Sequence, residues 1–302
     1  MSNLTNKVCK FCGSHKVRLL QYHSHLKKIP LGLTRNNEAL FVGIQCRICG
    51  SIENKNKFDP NKYFDGYYSN FSNYSRDILE PKYDYTGKLI ERLKKDKEKK
   101  ILDFGAGEGN LALYLREQGY NIDVLEADPG YTKLLEKNFT RVYRDISQLV
   151  GLYDVVLSLG VLEHVSEPVD HIKEICNNVL KPDGVYIAQF PNPKSLGARL
   201  NLKRWDMLFE SGHNFIPSAI GLKIFFEKNK KLNIRVIESY SSSITSRGRI
   251  PWFPTRHYVL EKYYKKLINK FWIFDKLNKL LWNFQDIPSL GETTVVMFEK
   301  HT

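Results

Sequence analysis

A short apolar run that ends in three alternating glycines is the feature that most constrains how this chain can fold. Residues 101–104 read Ile-Leu-Asp-Phe, typical of a buried strand, and Gly105, Gly107 and Gly109 follow before helical spacing begins. Glycines between a strand and a helix permit positive φ and let the backbone approach a ligand closely. A nicotinamide fingerprint would place its third glycine at 110, where this chain has Asn110. The pattern therefore predicts either a cofactor-binding loop of another kind or a tight structural turn in an α/β fold, and its surroundings decide between them.

Strands and helices alternate along the chain beyond this loop. The spacing predicts further strands at 122–125, 154–159, 185–190, 234–238 and 293–298, a short strand before 144, and helices at 111–118, 131–138, 171–180 and 218–228. Such alternation implies a parallel sheet covered by helices on both faces. We therefore predict an α/β, Rossmann-like, doubly wound sheet of seven strands, with a helical insertion at 241–291 before the last strand.

Carboxylates stand where a nucleoside ligand needs acceptors. Glu126 lies at the end of the second predicted strand, where it can accept hydrogen bonds from both hydroxyls of an adenosine ribose, and Asp128 is its near rival. Asp145, followed by Ile146, comes after the short third strand and suits an adenine amine. These positions predict an adenosine site beside the glycine loop.

Two further motifs complete an ordered series. The fourth strand runs into Leu-Gly-Val-Leu-Glu-His at 159–164, and Leu-Lys-Pro-Asp-Gly follows at 180–184. In this order, the five signals resemble the class I S-adenosylmethionine-dependent methyltransferase superfamily over roughly 83–240 and the last strand. The resemblance implies that S-adenosylmethionine is the cofactor. It implies contacts of its methionine moiety with Asp103, Gly105, Gly107 and Gly109, of its ribose with Glu126, of its adenine with Asp145 and Ile146, and of its amino group with the backbone near Leu159.

Four of the five cysteines form two Cys-x-x-Cys pairs near the start of the chain. They are Cys9, Cys12, Cys46 and Cys49, and each pair is followed by a glycine that suits a tight knuckle. Such pairs in a reducing compartment indicate metal ligands before disulfides, and a complete set of four cysteines suits closed, structural Zn²⁺. We expect His15, His23 and His25 to lie at the surface and Cys176 in the core.

The order of segments suggests a subgroup. A zinc ribbon, a linker with Tyr63, Tyr67 and Tyr68, and then the methyltransferase pattern resemble the sugar C-methyltransferases and their relatives in surface-glycan gene clusters. In those proteins, linker tyrosines can lie over the active site; ordinary packing is the alternative here. We predict a ribbon and linker at 1–75 and a methyltransferase domain at 76–302, with an acceptor-side cap at 191–232.

The predicted cap holds the second candidate group of reactive side chains. Arg204-Trp205 and the stretch 212–215, Gly-His-Asn-Phe, resemble a pattern of polysaccharide-associated methyltransferases. Sugar C-methyltransferases have Glu-His at this point, and Gly212 in its place favours transfer to oxygen and leaves His213 alone. Because histidine titrates near neutral pH, His213 and His164 are the candidate bases that would take up a hydroxyl proton. A structural role is the alternative for His164.

Charge and hydropathy limit the partners and the location. The chain has 46 Lys and Arg against 33 Asp and Glu, whereas residues 101–193 hold 7 against 14. Basic flanks favour nucleic acid, an anionic membrane face or phosphorylated small molecules, or they are solvated surface.

We expect a cytoplasmic protein because no apolar run approaches the ~20 residues of a membrane span and the start lacks a secretory pattern. The basic, Trp-containing helix expected at 256–284 predicts packing on the protein's own sheet or a second subunit, or peripheral contact with the inner membrane face.

Three functions are compatible with these observations. The leading prediction is methyl transfer from S-adenosylmethionine to a hydroxyl, or secondarily a carbon, of a sugar, nucleotide-sugar or lipid-linked glycan. The alternative is an RNA methyltransferase that grips phosphates with its zinc ribbon and basic flanks. A third interpretation is an idle binding protein, against which the complete glycine loop and acidic positions argue. The sequence leaves the oligomeric state open.

Overall fold

The computed structural model of the protein describes residues 7–23, 40–55, 96–209, 212–242 and 293–301. The predictions for Tyr63, Tyr67 and Tyr68, for His25 and for the 256–284 helix lie outside the described residues. None of the helices within the described ranges has the length and apolar character that crossing a membrane requires.

The described strands and helices follow the alternating order that the sequence predicts. The strands are β1 (Val17–His23), β2 (Leu40–Cys46), β3 (Ile52–Asn54), β4 (Lys100–Phe104), β5 (Asn121–Leu125), β6 (Val142–Tyr143), β7 (Tyr153–Leu159), β8 (Leu180–Pro191), β9 (Phe215–Ile216), β10 (Ile234–Ser242) and β11 (Thr293–Lys300). The α-helices are α1 (Asn110–Glu117), α2 (Pro129–Leu135), α3 (Pro168–Glu174), α4 (Leu196–Asn201), α5 (Asp206–Phe209) and α6 (Ala219–Lys228).

Seven of these strands form the main sheet, in the order β6-β5-β4-β7-β8-β11-β10. The first five of this series pair in parallel, and β11 pairs antiparallel to both β8 and β10. The predicted seven-stranded α/β sheet is confirmed. Because the strand order reverses direction beside β4, the carboxyl ends of β4, β5 and β7 border the crevice where open α/β sheets bind ligands.

Both faces of the main sheet are covered, which explains the uninterrupted apolar runs of its strands. Successive residues of one strand enter different cores: Leu102 of β4 packs in one apolar cluster, and its neighbour Ile101 packs in the other. On β7, Val156 joins the first cluster while Val155 joins the second. Burial on both faces fixes the sheet as the rigid base of the site.

Two predicted helices are wrong at their carboxyl ends: the one predicted at 131–138 is α2, which ends at Leu135, and the second lies further along the chain. The predicted helix at 171–180 corresponds to α3, which ends at Glu174 and continues as a π-helical turn at Ile175–Val179. Leu180 already belongs to β8, where it pairs with Tyr153 and is fully buried. The apolar residues there satisfy helix and strand spacing alike, and the pairing with β7 decides for the strand.

The two cysteine pairs lie in the turns before β1 and between β2 and β3 of a smaller antiparallel sheet, whose order is β1-β2-β3-β9; Cys46 is the last residue of β2. Its fourth strand, β9, comes from the acceptor segment more than 150 residues further along the chain, and pairs Phe215 with Glu53. Phe11 of the cysteine module packs edge-on against Phe215, with ring centroids 5.0 Å apart. The cysteine module is therefore joined to the methyltransferase-like part by a shared sheet and a shared core.

Candidate cofactor and acceptor site

The glycine loop follows β4 and adopts a backbone that requires glycine. Gly105, Gly107 and Gly109 have φ values of +74°, +56° and +78°. A Cβ on Gly105 would lie 2.4 Å from Val161, and one on Gly109 would lie 2.3 Å from Leu135, so both positions are closed by packing. A Cβ on Gly107 would meet no atom within 4 Å. The middle glycine therefore faces open space, as a loop that receives a ligand should.

Glu126 links this loop to the end of β5. One carboxylate oxygen accepts from the Gly107 backbone N–H at 2.8 Å, and the other accepts from the Asp128 backbone N–H at 2.8 Å. Burial raises the pKa of Glu126, while these two backbone donors act in the opposite direction. The carboxylate is thus held at the edge of the open loop.

Asp128, the predicted rival of Glu126, has another structural task. Its Oδ1 accepts from the backbone N–H groups of Gly130 and Tyr131, at 2.7 and 3.1 Å, and caps the N-terminus of α2. The residue is completely buried. This capping explains why an acidic residue follows Glu126 so closely.

Asp103 is the second buried carboxyl group beside the loop. It lies near the end of β4 and is 3% exposed. Burial, with a further contribution from the nearby Glu126 charge, raises the pKa of Asp103 to about 7. A positively charged ligand would favour the ionised form of this group.

The remaining predicted cofactor residues lie at neighbouring strand ends. Asp145 is exposed after β6, accepts from the Ser147 backbone N–H at 2.8 Å, and has its pKa lowered by Ser147. Ile146 packs partly against the core beside it. Leu159 is the last residue of β7, and Gly160 follows with φ of +75°. These residues border the same carboxyl edge of the sheet as the glycine loop.

The two candidate histidines come together although 48 residues lie between them. The ring centroids of His164 and His213 are 4.9 Å apart. Glu163 completes the group, because its carboxylate and the two imidazoles place ligand atoms within 4.8 Å of one another. Two imidazoles and a carboxylate can serve acid–base chemistry, and they also form a donor set that divalent metals accept.

The hydrogen bonds and the burial of this pair define its protonation. The Nδ1 atom of His213 lies 2.7 Å from the carbonyl oxygen of Met207. Since a carbonyl only accepts, Nδ1 carries a proton and the other ring nitrogen, Nε2, is the basic one. Burial, followed by the proximity of His213, lowers the pKa of His164 to about 3, so that this ring is neutral.

The loop that carries His213 is tied to the turn after β7. The backbone N–H groups of Asn214 and Phe215 both donate to the Glu163 carbonyl, and the Asn214 side chain donates to the His164 carbonyl at 2.9 Å. The same turn contains Val161, which touches Gly105. The histidine pair and the cofactor loop therefore meet at one edge of the sheet.

The cysteine module supports His213 from the other side. The Asn54 side chain, at the end of β3, donates to the His213 carbonyl at 3.1 Å, and the Asn54 backbone N–H donates to the Asn214 carbonyl at 3.0 Å. Ser218, which caps α6, donates to the Cys49 carbonyl at 2.7 Å. These supporting roles of Asn54 and Ser218 were not predicted from the sequence, because no local pattern reveals contacts across more than 150 residues.

The four predicted metal ligands converge. The sulfur atoms of Cys9 and Cys49 are 3.6 Å apart and those of Cys12 and Cys46 are 3.4 Å apart, beyond the ~2.05 Å of a disulfide. A tetrahedral zinc with bonds of about 2.3 Å would separate its ligands by about 3.8 Å. The hydrogen bond between the Cys9 and Cys49 sulfur atoms lowers the pKa of Cys49, which favours a thiolate there. The donor set fits a structural zinc site.

Cys176 is buried elsewhere in the core, as predicted, and His15 is exposed.

A seven-stranded sheet of this order with a glycine loop and acidic strand ends defines the class I S-adenosylmethionine-dependent methyltransferase domain. Comparison with known families agrees: the sequence profile described as a methyltransferase domain matches residues 79–229, half of the chain. The chain belongs to this methyltransferase domain family.

Individual relatives share the domain at moderate identity. A ubiquinone biosynthesis O-methyltransferase of Pseudomonas aeruginosa is 36% identical over 142 residues, which cover 41% of this chain and 61% of the relative. A protein of the same name from Acinetobacter baumannii is 33% identical over 144 residues, covering 40% and 60%. This chain thus spans about three fifths of these relatives.

Among solved structures, a chain of the complex between the Haloferax volcanii Trm112 methyltransferase activator and a methyltransferase has a TM-score of 0.50. It is 14% identical, and the match covers 79% of this chain and 98% of that chain. At this identity, the likeness supports the fold.

Proposed function

We propose that this protein transfers a methyl group from S-adenosylmethionine to a hydroxyl group of a sugar or glycan intermediate, with His213 as the general base. The observation that carries the proposal is the His213 tautomer. Its Nδ1–H donates to the Met207 carbonyl, which makes Nε2 the basic nitrogen of a ring whose loop is bonded to the turn beside the cofactor loop. The two relatives are named O-methyltransferases, which agrees with transfer to oxygen.

The chain's own residues bind the cofactor in this proposal. The open backbone at Gly107 and the carboxyl group of Asp103 would hold the methionine part, and the charge of Asp103 suits a cation. Glu126 would bind the ribose hydroxyls through its remaining lone pairs, because Asp128 caps α2 through Oδ1 and is completely buried. Asp145 and Ile146 would flank the adenine, and the backbone near Leu159 would meet the amino group.

The acceptor residues supply orientation and a place for the proton. Bound S-adenosylmethionine supplies an electrophilic methyl group. His213 takes the hydroxyl proton on Nε2 as the acceptor oxygen gains the methyl, and the Met207 carbonyl stabilises the resulting imidazolium through Nδ1–H. Neutral His164 and the backbone-anchored turn at Glu163 keep the His213 ring in place. We assign the glycan acceptor on the resemblance of the zinc ribbon, Trp205 and 212–215 segments.

Two other acceptors have specific support. The relatives named for ubiquinone biosynthesis favour a quinone precursor, and the basic flanks favour RNA. Incubation with methyl-labelled S-adenosylmethionine and fractionated lysate separates the three. We expect label in glycan or sugar nucleotide; label confined to quinone lipid or RNA would replace our acceptor assignment.

The base is tested by His213→Ala with His15→Ala as the matched control, because His15 is exposed and far along the chain from the site. We expect His213→Ala to slow methyl transfer about 10²- to 10⁴-fold, the usual contribution of a general base. Cofactor affinity and metal content should stay unchanged. An unaltered rate would remove His213 from the reaction, and loss of a bound metal would instead make the Glu163, His164 and His213 group a metal site.

A further inference from the structure

A cavity of about 800 Å³ lies apart from the glycine loop, between the cysteine module and the segment that follows β8. Five basic side chains line it, and none of the described residues that line it is acidic. They are Arg18, Arg47, Lys194, Arg199 and Lys203. Positive charges that converge without acidic residues raise the local potential and attract an anion.

The basic residues approach from two parts of the fold. Arg18 lies on β1, and Arg47 follows β2 in the second cysteine knuckle. Lys194 follows β8, Arg199 lies on α4, and Lys203 lies in the short helical turn after it. A ligand bound in the cavity would therefore contact basic side chains from both parts of the fold.

Two of these side chains are held in place by neighbours. The Gln45 side-chain oxygen accepts from Nε and Nη2 of Arg18 at 2.9 and 2.5 Å, and the Gln45 amide donates to the Gly50 carbonyl at 3.2 Å. The stem of Lys194 crosses the knuckle so closely that a Cβ on Gly50 would lie 2.7 Å from its Cε. Arginine forks and a fixed ammonium are well suited to phosphate oxygens.

The cavity also has walls that are not charged. Tyr22, Pro193 and Leu202 line it beside the basic residues. A free inorganic anion would leave these walls unused, whereas a phosphate ester with an organic part would contact them. The lining therefore fits an amphipathic phosphate compound.

The cavity is connected to the proposed reaction centre along the chain. Pro193 and Lys194 lie two and three residues after Pro191, which ends β8 at the edge that bears the cofactor loop. The same segment continues to Met207, whose carbonyl holds His213. The segment that lines the cavity therefore also carries the carbonyl that orients His213.

We infer that this basic cavity binds the diphosphate group of the acceptor, leaving the sugar to reach His213. The placement of the sugar rests on the proposed function, while the diphosphate site rests on the cavity alone. A soluble nucleoside diphosphate sugar and a lipid-linked diphosphate sugar carry the same group.

Calorimetric titration of the full chain tests the inference. The probes are inorganic pyrophosphate, UDP-glucose for a nucleotide source and farnesyl diphosphate for a lipid source. The cavity variant combines Arg18→Gln with Lys203→Gln. Its control combines Lys223→Gln with Lys231→Gln, exposed residues of α6 and the following turn that remove the same charge. Melting temperatures of both variants show that they fold.

We expect pyrophosphate to bind the wild type and the cavity variant to weaken binding at least about tenfold, as loss of a charged hydrogen bond does. The control should bind like the wild type. The organic diphosphate that binds more tightly identifies the source. Absent binding, equal weakening in the control, or binding of a short single-stranded RNA without binding of pyrophosphate would overturn the inference.

S-adenosylmethionine binding and methyl transfer are measured on the same preparations. Failure of pyrophosphate binding with intact methyl transfer would remove the diphosphate site and leave the proposed function standing. Failure of S-adenosylmethionine binding by the wild type would instead remove the proposed function, whatever the pyrophosphate result.

Discussion

At the scale of single residues, the carboxyl groups around the glycine loop divide between structure and binding. Glu126→Ala should weaken S-adenosylmethionine binding by about 1.5 to 3 kcal/mol, the scale of a charged hydrogen bond. Asp128→Ala should instead cost about 1 kcal/mol of stability through the lost cap on α2. Calorimetry and thermal melting separate the two effects. If Asp128→Ala abolishes binding and Glu126→Ala does not, the ribose assignment is wrong.

The elevated pKa of Asp103 predicts a stability that depends on pH. The folded protein keeps this proton up to about pH 7, whereas an unfolded aspartate loses it near 3.8, so stability falls as pH rises between these values. Asp103→Asn removes the buried charge. We expect the ligand-free variant to gain at least about 1 kcal/mol over the wild type above pH 7, and little at pH 4.

The affinity for S-adenosylmethionine should change with pH in the direction opposite to stability, again because of Asp103. A cationic ligand favours ionised Asp103, so wild-type affinity should increase from pH 5 to 8 and the Asn variant should lose most of that increase. Asp145→Asn is the control for the stability measurement, because the pKa of Asp145 is lowered and it is exposed. A stability gain of the same size and pH dependence in that control would show that the effect is not local to Asp103.

At the scale of elements, the sequence predicts those features that depend on residues close together along the chain. The strand and helix order from β4 to β8 follows from apolar periodicity, and the positive φ values of the loop follow from its glycines, whereas α4, α5 and β9 were not predicted. The end of α3 could not be predicted, because Leu180 is placed by its pairing with Tyr153. The pairing of β3 with β9 has no local signature at all, since both strands are short and distant in sequence. Both candidate histidines were predictable from motifs, whereas the support from Asn54 was not.

A substitution of Asn54 tests whether the pairing of β3 with β9 positions His213. Its side chain holds the carbonyl of His213 while its backbone joins β3 to the loop before β9. We expect Asn54→Ala to lower kcat about tenfold by loosening His213, with unchanged S-adenosylmethionine affinity. Glu53→Gln, on the same strand, should keep the wild-type rate, because its side chain pairs with Lys55. A variant that loses cofactor affinity and kcat in parallel would indicate general unfolding instead.

At the scale of the whole molecule, hydrogen bonds, an ion pair and a shared apolar core join the cysteine module to the methyltransferase domain. Lys228 at the end of α6 donates to the Cys12 carbonyl, Lys10 pairs with Glu167, and Ser218 joins α6 to Cys49. Phe11 extends the apolar core of the domain into the module. Each bond is modest, but together they place the end of β3 against the loop that carries His213. Loss of the metal should therefore disturb the position of His213.

Removal of one metal ligand tests this coupling. The purified protein should carry one zinc ion per chain, measured by elemental analysis, because the set of four cysteine donors is complete. Cys49→Ser should release the metal, remove on the order of 10 kcal/mol of binding free energy from the module, and lower kcat together with the melting temperature. Cys176→Ser is the control, since this buried cysteine lies outside the module and should leave the metal content intact. Metal-free protein with unchanged melting and unchanged kcat would show that the four cysteines neither bind zinc nor support the loop that carries His213.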